Sequence, residues 1–106
     1  MAKYLLHGSY SVAGIGGVLK DGGSARVKAV QDLAASVGGS VESFYFAFGK
    51  DDFFSIVDLP DNVSAAAVAM TVAAAGSASV QTITLLTAQD VDRAITMHPA
   101  YRRPGG

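Results

Sequence analysis

The sequence predicts an α+β fold in which one antiparallel sheet of four strands carries its two main helices on the same face. Two observations support this fold class. Segments with strand and helix patterning follow one another in the order β-α-β-β-α-β. The central hairpin, residues 41–59, is also apolar on both faces, whereas a hairpin with one solvent-exposed face alternates between apolar and polar residues. Both sides of the predicted sheet therefore need a cover.

The first half of the chain predicts a strand, a flexible connection and a helix. Residues 3–10 alternate larger and small side chains, as a strand does, and the glycine-rich residues 13–23 are expected to hold one short helical turn. Ser24 is a suitable N-cap for the first long helix, and Gly38 and Gly39 end it. Apolar residues recur at helical spacing between these ends: Val27, Val30, Leu33, Ala34 and Val37.

The hairpin is predicted as a strand over 41–48, a turn over 49–52 and a return strand over 53–59. If the first strand is regular, its apolar side chains divide between two faces. Phe44, Phe46 and Phe48 lie on one face, and Val41, Tyr45 and Ala47 lie on the other.

The second half of the chain predicts a helix, a strand and a last short helix. Asp61 can cap a helix over residues 62–75, in which alanine occurs nearly all round and allows close packing against more than one neighbour. Gly76 and Ser77 end this helix. Residues 80–86 are rich in β-branched side chains and predict the fourth strand, after which Thr87 opens the last helix.

The complete order is that of the split β-α-β, or ferredoxin-like, fold. We expect one domain over residues 1–98 and a mobile Pro/Gly/Arg-containing tail over residues 99–106. Since both main helices cover the same side of the sheet, the opposite face stays open. The sequence therefore predicts a homodimer, or a multiple of dimers, that assembles through this open sheet face.

Composition narrows the classes of partner and location. Half of the 106 residues are apolar, 16% are charged and the net charge is −1, without a basic cluster, so we expect no nucleic-acid partner. Cysteine is absent, which removes disulfides and thiolate chemistry. The N-terminus lacks the pattern of a secretory signal, and the uncharged stretch 62–89 is interrupted by Gly76-Ser77. These features predict a cytoplasmic protein with no membrane partner.

Five residues are candidates for binding a small molecule: His7, Tyr10, Arg26, Tyr45 and Asp52. His7 is either a sheet-face or interface histidine, or a general base or metal ligand that requires further partners. No His-x-His or His-x-x-x-His spacing occurs, and no metal or cofactor is expected. Tyr10 and Tyr45 either pack at a boundary with one hydrogen bond or present hydroxyls to a pocket.

Arg26 falls in the first turn of a helix, where the helix dipole disfavours a cation. The sequence favours an ion pair with Asp21, Asp51 or Asp52, and the alternative is an anion site. The two adjacent aspartates of the turn diverge and are more typical of turn chemistry than of a catalytic pair. Gly22-Gly23-Ser24 lacks the phosphate-loop pattern and indicates a connector and cap.

Several short motifs occur in a fixed order along the chain: Gly22-Gly23-Ser24-Ala25-Arg26, Val37-Gly38-Gly39, Phe44-Tyr45-Phe46, Gly49-Lys50-Asp51-Asp52, Leu59-Pro60-Asp61 and Ala75-Gly76. Their order resembles that of the GYD domain family, which comprises small bacterial proteins of unassigned function. The chain resembles this family over residues 3–90. The resemblance implies a ferredoxin-like fold of the dimeric α/β-barrel type.

The chain departs from the family pattern at two places. Asp51 stands where the namesake tyrosine is usual, and no basic residue occurs between Gly76 and Gln89, where the family often has an arginine.

The leading functional hypothesis is a homo-oligomeric binding or interaction module without catalysis. The alternatives are a small oxygenase, by analogy with other dimeric α/β barrels, with a closed pocket lined by Tyr10, His7 and Tyr45, and a sensor that binds a small anion at Arg26.

Overall fold

The computed structural model describes residues 1–106 and confirms the α+β fold with a four-stranded antiparallel sheet. In chain order the elements are β1 (Ala2–Tyr10), α1 (Val12–Asp21), α2 (Gly23–Ser36), β2 (Ser40–Phe46), β3 (Phe53–Leu59), α3 (Asn62–Ala75), β4 (Ala78–Leu85) and α4 (Ala88–Ile95). None of the four helices has the length and apolar character needed to cross a membrane.

The strands lie side by side in the order β2-β3-β1-β4, the strand order of the ferredoxin-like fold. In the centre of the sheet, Leu5 of β1 lies opposite Ile56 of β3 and Ile83 of β4, and His7 lies opposite Phe54. Because side chains alternate between faces, these residues share the sheet face that points away from the helices. We call it the open face, and it carries Leu5, His7, Tyr45, Phe54, Ile56 and Ile83.

The hydrophobic core lies on the other face, between the sheet and helices α2 and α3. Its buried members are Tyr4, Leu6, Ala34, Val57, Leu59 and Ala65. The hydroxyl of Tyr4 donates a hydrogen bond to Asn62 Oδ1 at 2.6 Å, which joins this core residue to the start of α3. Only 10 of the 106 residues are buried, so the core is small for a chain of this length.

Both predicted ends of helix α3 are confirmed. The Asp61 carboxylate accepts a hydrogen bond from the backbone N–H of Ser64 at 2.8 Å, and this bond holds the pKa of Asp61 below its ordinary value. Gly76 ends the helix with a left-handed φ of 70°. The start of α4 at Thr87 is also confirmed, by a reciprocal capping box with Asp90.

The expectation of a single helical turn in the glycine-rich segment is wrong, because α1 is a complete helix of 10 residues. Ser11 caps it by accepting a hydrogen bond from the Gly14 N–H at 3.1 Å. Gly14 lies so close to the Ser77 carbonyl that a Cβ atom would overlap it. Ser24 does not cap α2 as predicted; Gly22 occupies the N-cap, at a φ of 91° that favours glycine.

The first hairpin strand is shorter and less regular than predicted. It ends at Phe46, and Phe48 lies fully exposed in the connection that follows. The register shifts between Val41 and Ser43, which places Val41 opposite Val57 on the helix side of the sheet, together with Phe44. The predicted division of faces is therefore wrong for Val41 and Phe48, since a bulge cannot be read from alternation alone. Strand β4 also begins earlier than predicted, at Ala78.

Two substitutions in α1 test the close approach at Gly14. Gly14→Ala should destabilise the protein by about 1–3 kcal/mol, because the added methyl group must displace a backbone carbonyl. Gly16→Ala, in the same helix with nothing within 4 Å of the added Cβ, should stabilise it by about 0.5–1 kcal/mol through helix propensity. Urea unfolding midpoints of both variants provide the measurement. Equal effects of the same sign would contradict the packing of α1 against Ser77.

Candidate functional site

A cavity of about 320 Å³ lies between helices α2 and α3 and the helix side of the sheet. Thirteen of its 18 lining residues are hydrophobic. On the helix side most of them are small: apart from Leu33 and Arg26 of α2, the apolar ones include Ala29, Val30, Val68, Ala69 and Val72. The alanine-rich sequence of α3, which predicts close packing, instead leaves side chains too short to fill the space above the sheet.

The sheet side of the cavity is a row of aromatic rings. The Tyr10 and Phe53 ring centroids are 5.2 Å apart, and Phe53 stacks on Phe44 at 5.7 Å with an interplanar angle of 12°. Since all three rings line the cavity, one of its walls is largely aromatic, and the opposite wall is mainly aliphatic, with Leu33 as its largest apolar side chain.

Arg26 is the only charged residue that lines this cavity. It also borders a second depression, of about 210 Å³, between α1 and α2. Its side chain is half-buried and forms no salt bridge. The predicted ion pair with an aspartate is therefore wrong, because Asp51 and Asp52 bind groups of β1 instead.

Tyr10, the last residue of β1, lines the same cavity as Arg26. Burial raises the pKa of its phenol above the ordinary value, the positive charge of Arg26 lowers it in part, and the negative charge of Asp52 raises it. The Asp52 carboxylate accepts the backbone N–H of Tyr10 at 2.9 Å and so fixes the position of this residue. Asp52 thus supports the site from outside, and it is not among the residues that line the cavity.

His7 lies on the open face, separated from the cavity by the sheet. Its Nδ1–H donates to the Asp51 carboxylate at 2.7 Å, and its ring stacks on Phe54 at 5.8 Å with an interplanar angle of 8°. The interpretation of His7 as a sheet-face residue agrees with this position. The sequence predicts only a turn role or a pairing with Arg26 for Asp51. Its carboxylate is in fact the hydrogen-bond acceptor that orients the His7 ring.

Tyr45 lies on the open face too, 71% exposed, and β3 separates its strand from β1. The prediction that Tyr10, His7 and Tyr45 share one closed pocket is therefore wrong, since only Tyr10 lines the cavity. The five candidates divide into two groups: Tyr10 and Arg26 line the cavity, with Asp52 holding Tyr10 from outside, and His7 and Tyr45 lie on the open face. No cluster of three or more His, Asp or Glu side chains is placed to share a metal ion.

The cavity itself was not predicted, although the sequence contains one signal for it. From Asn62 to Ala75, alanine occupies seven positions and no side chain is larger than that of Met70. A helix of this kind, set against strands with phenylalanine, either packs very closely or leaves a space. The sequence does not distinguish these outcomes, because they depend on how far α2 and the sheet hold α3 away.

Comparison with known families matches the chain to the family model described as the GYD domain, over residues 4–95 of 106. The match extends from the first strand through the last helix and includes every residue that lines the cavity. No curated protein and no solved structure matches the chain.

The electrostatic coupling of Tyr10 to Arg26 predicts a measurable pKa change. In Arg26→Met the pKa of Tyr10 should rise further, because the positive charge that favours the phenolate is lost. Titration of the Tyr10 ring carbon by NMR, assigned with Tyr10→Phe, measures it, and Arg102→Met in the exposed tail is the control. An unchanged or lower pKa in Arg26→Met would contradict the coupling.

The same raised pKa links Tyr10 to the pH dependence of stability. Since the folded-state pKa of Tyr10 is raised, the stabilisation associated with its protonated form is complete below about pH 10 and is lost as the pH rises through the folded-state pKa.

Proposed function

The chain belongs to the GYD domain family, and we propose that it is a homodimeric binding module that takes a small molecule into the cavity between its helices and sheet. The observation that carries the proposal is the cavity of about 320 Å³ with one unpaired arginine at its edge. Its volume lies at the lower end of the range of small-molecule sites, about 300–1,000 Å³. An apolar lining with few polar groups is also typical of such sites.

A role without catalysis is supported by the chemistry of the lining. The polar groups there are Arg26, the Tyr10 phenol and four serine or threonine residues, and the Ser55 hydroxyl among these already donates to the Ser43 carbonyl at 2.8 Å. A nucleophile or general base needs a partner within hydrogen-bond reach. The His7–Asp51 pair has the geometry of such a partnership, but it lies on the other side of the sheet.

The sequence leaves two alternative functions open. The oxygenase hypothesis requires one pocket shared by Tyr10, His7 and Tyr45, but these residues lie on different faces of the sheet. The anion sensor depends on an accessible, unpaired Arg26 and is favoured by that residue's position at the cavity. The anion-sensor hypothesis therefore describes the same binding module, with the one further property that its ligand carries a negative charge.

Assembly through the open face is supported by the exposed apolar residues there. Phe54 is 41% exposed and Ile83 is 44% exposed, and no element of the chain covers them. The charged groups on this face are paired within the chain: Lys3 donates to Asp58 at 2.8 Å and to Glu42 at 2.7 Å, and His7 donates to Asp51. Covering a paired charge costs less than covering an isolated one. A second copy offers the same face, so the contact is self-complementary under two-fold symmetry.

The dimer proposal predicts that one substitution on the open face separates the subunits. Ile83→Glu places a carboxylate among the apolar side chains of the open face and should convert the dimer to a monomer of 10.8 kDa. Met70→Glu, on the exposed side of α3, is the matched control and should leave a dimer. Size-exclusion chromatography with light scattering at micromolar concentration gives the masses. A wild-type monomer, or a dimer that persists in Ile83→Glu, would overturn this arrangement.

The cavity proposal predicts that filling the space abolishes ligand binding. The chain contains no tryptophan, so the fluorescence of added indole reports binding against a low background. Wild-type protein should bind this small neutral aromatic probe, and Ala69→Leu should weaken its binding by at least about tenfold by occupying the cavity. Ala73→Leu, exposed on the same helix, is the control. If indole does not bind the wild type, or binds Ala69→Leu equally well, the cavity is not the binding site.

A further inference from the structure

We propose that the cavity selects a planar aromatic monoanion, such as a small arene carboxylate, whose charge is neutralised by Arg26 and whose ring lies along the aromatic wall. This inference rests on the proposed role of the cavity as a ligand site, and it adds the class of ligand. The charge, hydrogen-bonding groups and shape of the cavity each support it.

The charge follows from Arg26. A guanidinium that borders an apolar cavity without a carboxylate partner is poorly compensated, because burial removes part of its hydration. No acidic residue lines the cavity, so nothing within it repels an anion. The planar guanidinium offers paired N–H donors, and a carboxylate accepts such a pair in bidentate form. Arg26 also borders the depression between α1 and α2, but Asp21 lines that depression too, so an anion is favoured on the cavity side of Arg26.

The second donor is the Tyr10 hydroxyl. The ordinary pKa of a tyrosine phenol, 10.0, lies well above neutral pH and burial raises the pKa of Tyr10 further, so this phenol is protonated and can donate to the same carboxylate. A guanidinium and a protonated phenol together favour a group that only accepts hydrogen bonds. An amine or ammonium head would meet no negative partner there.

The shape of the ligand follows from the two walls. Tyr10, Phe53 and Phe44 form a row of rings on the sheet side, and the helix side is lined mainly by alanine and valine side chains together with Leu33. A space between a ring surface and small aliphatic groups suits a flat molecule, which gains ring contacts on one side without steric conflict on the other. A volume near the lower limit for ligand sites favours one or two fused rings.

The test compares four probes by isothermal titration calorimetry. 2-Naphthoate is the expected ligand, 2-naphthamide has nearly the same shape without the charge, decahydro-2-naphthoate has the charge without the planar ring, and inorganic phosphate has only the charge. The protein variants are Arg26→Met, which keeps the length of the side chain, Arg26→Lys, which keeps the charge, and Arg102→Met as the exposed control. Circular dichroism checks that each variant is folded.

We expect wild-type protein to bind 2-naphthoate at least about tenfold more tightly than each of the other three probes. Arg26→Met should remove the advantage of naphthoate over naphthamide, Arg26→Lys should retain part of it, and Arg102→Met should retain all of it. Equal binding of naphthoate and naphthamide, or an advantage that persists in Arg26→Met, would overturn the charge selection and leave the cavity as a site for neutral molecules. Equal binding of the saturated acid would overturn the planar selection. If neither these probes nor indole bind, the proposed function fails together with the ligand class.

Discussion

The turn between β2 and β3 is tied to the end of β1, and the positions of both groups of candidate residues depend on this connection. The Asp52 N–H donates to the Gly8 carbonyl at 2.7 Å, and its carboxylate accepts the Tyr10 N–H. Ser9 Oγ donates to the Lys50 carbonyl at 3.1 Å. Asp51 completes the set through His7. Three consecutive turn residues thus satisfy groups on β1 that no neighbouring strand satisfies, and they fix Tyr10 at the cavity and His7 on the open face.

The small core and the cavity have a common origin in the side chains of α3. Alanine gives this helix a high helix propensity, and its alanine and valine side chains are short, so it contributes Ala65 and Val68 to the buried layer and leaves space nearby. A chain that buries only 10 residues has little apolar surface removed from water within one subunit. Covering the open face with a second copy would supply stabilisation that the core does not.

Much of the fold could be predicted from the sequence because its signals are local. Asp61 and Gly76 delimit α3, and Thr87 marks the start of α4, since each capping residue acts within three or four positions of itself. The helical state of α1 could not be predicted, because glycine disfavours a helix locally and the close approach to Ser77 that requires Gly14 is a tertiary contact.

The candidate site was harder to predict for the same reason. Arg26 and Tyr10 were identified by residue type, but the partner of each aspartate depends on how the turn folds over β1. The bulge after Val41 also reverses which face a side chain occupies, and a one-residue shift of this kind leaves no mark in the alternation pattern. The sequence therefore identified the groups that carry charge, and it did not establish which of them meet.

The sheet separates the cavity from the open face at the level of single residues. Along β1, Leu6 and Tyr10 line the cavity while Leu5 and His7 lie on the opposite side. The strand residues that line the cavity all lie on the helix side of the sheet. No open-face residue, in turn, lines the cavity. If two copies assemble through the open face, an influence of that contact on ligand binding would have to pass through the backbone of the strands that the two faces share, above all β1 and β3.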